Sequence, residues 1–261
     1  MEKVLLPVAP FTPTYIALFL IQLLIAVIIG KKIRPLPDEK KRKIIFYIYL
    51  GVFIFFCAYK LLLPLDKSYM ELYPKLYGKF SYLNEIPFNA CNISIWMTCI
   101  AMKTNNKGLK GFCFFISCLG PLFALLLPIE GFQGESLLTI HVFGYYVSHF
   151  AALMIPVILI LSRVYVPTFK AIPSAVLTTL VVDVCVFVLD TILRVTNLNP
   201  VANFMFCYYH EDNPILKLFY NWLNGIPLIY TLPCVIIMMV SCYLITAICT
   251  LLLKGSEKKN N

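Results

Sequence analysis

The chain has 261 residues, 60% hydrophobic and only 13% charged, with a mean hydropathy of +0.82 and a net charge of +9. A water-soluble domain of this length needs a far more polar surface, and a nucleic-acid surface needs its basic residues gathered into one patch, whereas here they flank apolar runs. What remains is an all-α polytopic membrane protein, one integral domain over residues 1–261, with no nucleic acid as partner.

Seven apolar stretches are predicted to span the membrane: 11–30, 44–64, 85–102, 111–128, 137–161, 173–195 and 228–253. The first has no basic region before it and runs into "GKKIR" instead of a cleavage site, so it is expected to remain as a membrane helix. Pro121, Pro156 and Pro233 fall inside predicted spans and should kink them. The segments after the first, third, fifth and seventh spans hold fifteen of the 22 Lys and Arg residues, and the opposite set holds seven. That asymmetry predicts an outside N-terminus and a cytoplasmic C-terminus. On the outer side by this reading lie "DKSYMELYPKLYGKFSYLN" after the second span and the long connection 196–227. Both are rich in aromatics, which suit an interfacial or re-entrant segment. The Lys- and Ile-rich, low-charge composition points to a bacterial plasma membrane, with no oligomeric state implied.

Nine of the ten cysteines fall in or at the ends of apolar segments, where a thiol is a small hydrophobe, and Cys207 alone lies in a long loop. No CxxC pair or zinc spacing occurs, so neither a metal, a cofactor nor a disulfide framework is expected.

Ionisable groups in a span are costly and usually face the protein interior. The fifth span carries His141, Tyr145 and His149 at i, i+4 and i+8 on one helix face, beside Ser148, with His149 roughly 12 Å deeper than His141. The third span opens "NEIPFNACNISIW" and brings Glu85, Asn89, Cys91, Asn92 and Ser94 into its first turns, with Cys91 between the two histidines in depth. The sixth carries Asp183, Asp190 and Arg194 on one face, the last two at the i, i+4 spacing of an ion pair. Three helices thus direct polar groups to the outer half of the bilayer, as a polar cavity would require.

Such a set suits acyl transfer. Cys91 is the candidate nucleophile and His141 or His149 its base; Tyr145 or Asn89 would orient that base, and the Asn89 and Asn92 amides would hold an oxyanion. Each residue also has a plainer role: helix-to-helix hydrogen bonds for the histidines, an ion pair for Asp190 and Arg194, inert packing for Cys91. Metal binding by the histidines is disfavoured, since i and i+8 lie two turns apart.

"IPFNACNISIW", "HVFGYYVSH" and "NPVANFMF" with "NPILKLFYNWLNGIPLIY" resemble, in order and spacing, the YwaF-like family of bacterial integral membrane proteins over residues 10–253. That family looks related to vertebrate transmembrane protein 164, reported as a cysteine-dependent acyltransferase acting on phospholipids. The resemblance implies a lipid acyltransferase with Cys91 as nucleophile and a histidine of the fifth span as base. Asn89 stands where the family pattern has a histidine, and "NGIPLIY" replaces a Trp-containing form. A membrane phospholipid or lysolipid is the expected substrate, with Asn203, Arg194 and Asp190 as candidate headgroup contacts, and a phospholipid donor suits an outward-facing site better than cytosolic acyl-CoA. The alternative is a seven-helix transporter or ligand-binding sensor with a polar outer cavity and no catalysis, which would tolerate Cys91→Ser.

Overall fold

The computed structural model describes residues 5–128, 131–211 and 213–258, and it is all-helical apart from one isolated bridge between Pro7 and Ser136. Lys3 and Lys259, counted above for orientation, lie outside the described residues. Eight helices build the bundle: α1 Pro13–Ile33, α2 Asp38–Leu62, α4 Ala90–Thr104, α5 Lys107–Leu126, α6 Ile140–Leu153, α7 Ile155–Leu161, α8 Ile172–Val195 and α10 Leu232–Lys258. Two short helices, α3 Lys67–Tyr77 and α9 Pro214–Trp222, lie in the connections.

Local chemistry sets these boundaries. Thr12 caps α1 through the Tyr15 amide at 3.4 Å, with Pro13 opening the first turn. Asp38 and Glu39 sit in the first turn of α2, where the positive end of the helix dipole favours them. Asn105 in the left-handed conformation ends α4, and Asn106 caps α5 through the Leu109 amide at 3.0 Å. The predicted fifth span breaks at Met154 into α6 and α7, because Pro156 has no amide to continue the ladder and serves instead in the first turn of α7. Pro121 lies inside α5 without ending it. The kink expected at Pro233 is absent: this proline stands second in α10 and starts the helix.

Six helical stretches among the described residues are long and apolar enough to cross a membrane: Pro13–Ile33, Asp38–Leu65, Lys107–Leu126, Ile140–Leu161, Phe169–Val195 and Ile229–Leu253. The chain is a multi-pass integral membrane protein. The third predicted span differs from expectation. Its helix, α4, has 15 residues, about 22 Å, short of a hydrocarbon core of about 30 Å. Glu85 closes a 3-10 turn, Tyr82–Glu85, and Asn89 is the residue before α4, so both lie ahead of the helix.

α2, α4, α5 and α6 pack around one another, α8 lies on α5, α10 on α8, and α1 on α6 and α7. The apolar windows of α5 and of α6–α7 are 56% and 61% buried, against 17–22% for the other four, so these two stretches form the axis of the bundle. Close approach depends on small residues. At Gly144 of α6 an added Cβ would stand 2.3 Å from the Tyr59 ring of α2, and at Gly30 of α1 it would stand 2.7 Å from Leu161 Cβ.

The long connections gather at one end. Residues 5–8 run beside 134–137, with Val8 N–H donating to the Glu135 carbonyl at 3.0 Å. Asp66 bonds His141 at the start of α6, and the Asn199 amide reaches Asn84 at 2.6 Å. The opposite end of α4 is tied to α2 by Arg42, which donates to the Met102 carbonyl at 2.8 Å. In the connection after α8, expected to be interfacial or re-entrant, α9 exposes Ile215, Leu218 and Trp222 along one side, as an amphipathic helix at a membrane surface does.

Candidate active site

The two histidines of α6 have different surroundings. His141 is buried at the loop-rich end. Its Nδ1 lies 2.7 Å from Asp66 Oδ2, its backbone amide donates to the same oxygen at 2.9 Å, and its Nε2 lies 3.2 Å from the Gly131 carbonyl. Tyr69 and Phe132 pack on the ring. With both ring nitrogens facing oxygen acceptors, His141 has none left to take a proton from a thiol. Asp66 also accepts from Ser68 at 2.8 Å and caps α3 through the Tyr69 amide at 3.3 Å. Burial pushes the Asp66 carboxyl up, but the hydrogen bonds from His141 and Ser68 outweigh it and hold the group below its ordinary value.

His149 is buried two turns deeper. Its Nδ1 lies 2.7 Å from the Tyr145 carbonyl oxygen, and its ring lies 4.2 Å from the Tyr145 ring, centroid to centroid. A carbonyl only accepts, so Nδ1 carries the proton and Nε2 the lone pair. Nε2 has no hydrogen-bond partner among the described residues. An imidazole held in this tautomer can accept a proton at Nε2.

Cys91 is second in α4, with its own amide and that of Asn92 against the thiol. Its depth follows from the neighbours. Its backbone nitrogen lies 3.6 Å from where a Cβ on Gly120 would stand. One turn toward the loop-rich end of α5, the Ala124 carbonyl accepts from the Tyr145 hydroxyl at 2.6 Å. Cys91 therefore packs on α5 at Gly120, one turn inward from the carbonyl that takes the Tyr145 hydroxyl, and α4 packs directly on α6.

The residues expected to orient the base or hold an oxyanion divide as well. Tyr145 does orient His149, with its carbonyl and ring face, while its hydroxyl is spent on α5. Asn89 is turned to the long loop, its Oδ1 accepting from the Met205 amide at 3.0 Å. Asn92 is half-buried beside Cys91 and has no side-chain hydrogen bond among the described residues.

The groups proposed for a headgroup bond within their own loop and not to Cys91 or His149. Asp190 and Arg194 do not form the expected ion pair. Arg194 Nε donates to the Ala202 carbonyl at 2.6 Å and its guanidinium lies 4.2 Å above the Tyr208 ring, so the side chain is drawn along the loop. Asp190 is fully buried, and the Phe204 amide and Arg194 act on it from nearby without a hydrogen bond of ordinary geometry. Asn203 makes four hydrogen bonds inside its own loop: to the Tyr209 carbonyl at 2.9 Å, to Glu211 at 2.8 Å, and from the Tyr208 and Tyr209 amides at 2.9 and 3.1 Å. These use every donor and acceptor of its amide. Burial raises Glu211, and the Asn203 bond offsets part of that.

Sequence reasoning missed Lys60. It counted this residue among the loop charges, yet Lys60 pairs with the buried Glu85, which also accepts from the Tyr69 hydroxyl at 2.6 Å. The Lys60 ammonium lies over the Phe56 and Tyr59 rings, at 5.6 and 5.4 Å from their centroids. The signal was present: Lys60 falls within the predicted second span, where an ionisable residue calls for a partner.

The family model of the TMEM164 family matches residues 9–251. The chain belongs to the TMEM164 family. Neither a curated protein nor a solved structure matches it. The matched stretch contains α1 to α9 and most of α10, and with them Cys91, His141, His149, Lys60 and Glu85.

Proposed function

We propose that the protein is a membrane-embedded acyltransferase that moves a fatty acyl chain from a phospholipid to a lysolipid or another lipid-linked acceptor through a thioester on Cys91. The observation that carries this reading is His149: its tautomer is fixed by the Tyr145 carbonyl, and its Nε2 is left as an acceptor on α6, the helix against which the Cys91-bearing α4 packs. The thiol proton passes to His149 Nε2 as sulfur attacks the ester carbonyl. The carbon–sulfur bond forms, the ester carbon–oxygen bond breaks, and the leaving lysolipid oxygen takes the proton from His149. In the second half the acceptor hydroxyl gives its proton to Nε2 and attacks the thioester, and the returned proton restores the thiol. His141 is structural in this reading.

The topology that accompanies it has seven passes, with α4 as a short one, the N-terminus outside and the C-terminus cytoplasmic, in a bacterial plasma membrane. The loop-rich end then faces outward, where phospholipid and not acyl-CoA is the available donor. Asn92 is the amide left to contact substrate, and Asp190, Arg194 and Asn203 shape the loop that covers the site.

Lipid profiling of membranes carrying the wild-type or the Cys91→Ser protein tests the reading. A shift in acyl-chain distribution that requires Cys91 supports it. Identical lipid profiles from the two, with purified protein inactive on mixed phospholipid and lysolipid vesicles, would overturn it.

A further inference from the structure

An apolar groove opens sideways between α1 and α2. α1 packs on α6 and α7, and α2 on α4 and α6, but the two helices pack little on each other although a short turn joins them. The Gln22 amide donates to the Val147 carbonyl at 3.4 Å and the Tyr49 hydroxyl to the Ala151 carbonyl at 3.3 Å, so each helix is tied to α6 and a gap is left between them. The gap has two parts, of about 490 and 370 Å³, and Ile29 and Ile48 line both, so one continues into the other. Gly51 lines the first part and Lys32 the second. Val147 and Ala151, on its floor, each stand two residues from His149, roughly 200° round α6. The groove therefore lies on the face of α6 turned away from His149. We propose that it binds one anionic phospholipid of the leaflet at the α1–α2 connection, with an acyl chain between the helices and the phosphate at Lys32. The assignment does not rest on the acyl-transfer reading.

Length, lining and charge support it together. The lining runs from Gln22 to Lys32 on α1 and from Ile44 to Phe55 on α2. At 1.5 Å per residue these stretches are about 15 and 17 Å long. One leaflet is half of a hydrocarbon core of about 30 Å. The groove thus covers the depth of one leaflet, the path of one acyl chain. A gap left empty forfeits the dispersion contacts of its walls, and in a bilayer acyl chains are the material at hand to fill it. At its surface end the chemistry changes. Residues 31–43, "KKIRPLPDEKKRK", hold seven Lys and Arg against two acidic residues. Lys32 is exposed and has no hydrogen bond or ion pair among the described residues, whereas Arg42 is engaged by Asp38 and the Met102 carbonyl. A cationic rim at the mouth of an apolar slot between membrane helices complements a phosphate above a chain. A zwitterionic headgroup gains less, because its own ammonium meets the same cations.

Native mass spectrometry of the protein in detergent tests the site, by titration with phosphatidylglycerol or with phosphatidylcholine of the same acyl chains. The wild type is expected to bind one phosphatidylglycerol about 10-fold or more tighter than phosphatidylcholine. Gly51→Leu places a side chain where an added Cβ meets nothing within 4 Å, and it should weaken that binding about 10-fold. Lys32→Gln should lower the preference for the anionic lipid about 5-fold. Lys103→Gln, the same charge change on the exposed last turn of α4 at the same end of the bundle, should leave the preference unchanged. Equal binding of the two lipids by the wild type overturns the proposal, and so do equal losses in Lys32→Gln and Lys103→Gln, which would show a diffuse surface charge. A dimer that Gly51→Leu dissociates would give the groove to a second copy of the chain and overturn it as well. If Gly51→Leu does not fold, the two exposed lysine variants decide.

Discussion

The Nδ1 of His149 lies 2.7 Å from the carbonyl oxygen of Tyr145, one turn earlier on α6, and this bond separates the two histidines of the helix. It leaves Nε2 as an acceptor with no partner among the described residues, whereas both His141 nitrogens face oxygen acceptors. His149→Gln is therefore expected to abolish acyl transfer while changing stability by no more than about 1 kcal/mol, the net scale of one hydrogen bond. His141→Gln breaks a buried pair with Asp66 and should cost about 3 kcal/mol with the chemistry intact in the fraction that stays folded. Thermal melts and acylation assays on both variants check the division.

Asp66 predicts how stability responds to acid. Its folded-state carboxyl titrates below the ordinary 3.8, so its contribution is fully present above that value and is lost as pH falls through the lower folded one. Melting temperature should fall more steeply below about pH 4, and Asp66→Asn should lower it at neutral pH while flattening that acid limb. A melt series from pH 7 to pH 3 reads both effects.

Tyr145 orients its neighbour with ring and backbone, and its hydroxyl serves α5. Tyr145→Phe should cost about 1 kcal/mol of stability and leave transfer within a few-fold of wild type. Tyr145→Ala, which removes the ring beside His149, should lower transfer far more than the Phe variant. Equal loss in the two would place the function in the hydroxyl instead.

Gly144 admits the Tyr59 ring. A Cβ there would meet the ring at 2.3 Å, with further ring atoms at 2.4 and 2.6 Å, so Tyr59 must move and Lys60 with it. Gly144→Ala is expected to destabilise the protein by about 1–3 kcal/mol and to impair transfer in the fraction that remains folded. Gly51, whose added Cβ would meet nothing within 4 Å, is the control position.

Much of the architecture was legible, because long apolar runs have one structural solution in lipid. The expected spans find helices, with ends displaced by up to six residues: α2 starts at Asp38 and not at 44, α4 at Ala90 and not at 85, and α10 ends at Lys258 and not at 253. "NEIPF" ahead of α4 bends through a 3-10 turn, and mean hydropathy cannot detect that. α3 and α9 were read only as aromatic loops, since short helices leave little trace in a hydropathy window. Among the seven Lys and Arg residues of the opposite set, Lys60 is half-buried at the end of α2 and paired with Glu85, so it is no loop charge. Spacing alone could not rank His141 and His149, which share one helix face, because what separates them is Asp66, 75 residues from His141 in the chain. Spacing also suggested the Asp190–Arg194 pair, but Arg194 finds a carbonyl and an aromatic face beyond its own helix.

The central claim is a thiol at residue 91 that accepts an acyl group with the help of residue 149. The most direct measurement is intact-mass and peptide-level analysis of purified protein after incubation with a phospholipid of defined chain length. The expected result is a mass increase equal to that acyl group, located on Cys91, removed by neutral hydroxylamine, and absent from both Cys91→Ser and His149→Gln. An adduct on a different cysteine, or none at all while lipid remodelling proceeds, would contradict it.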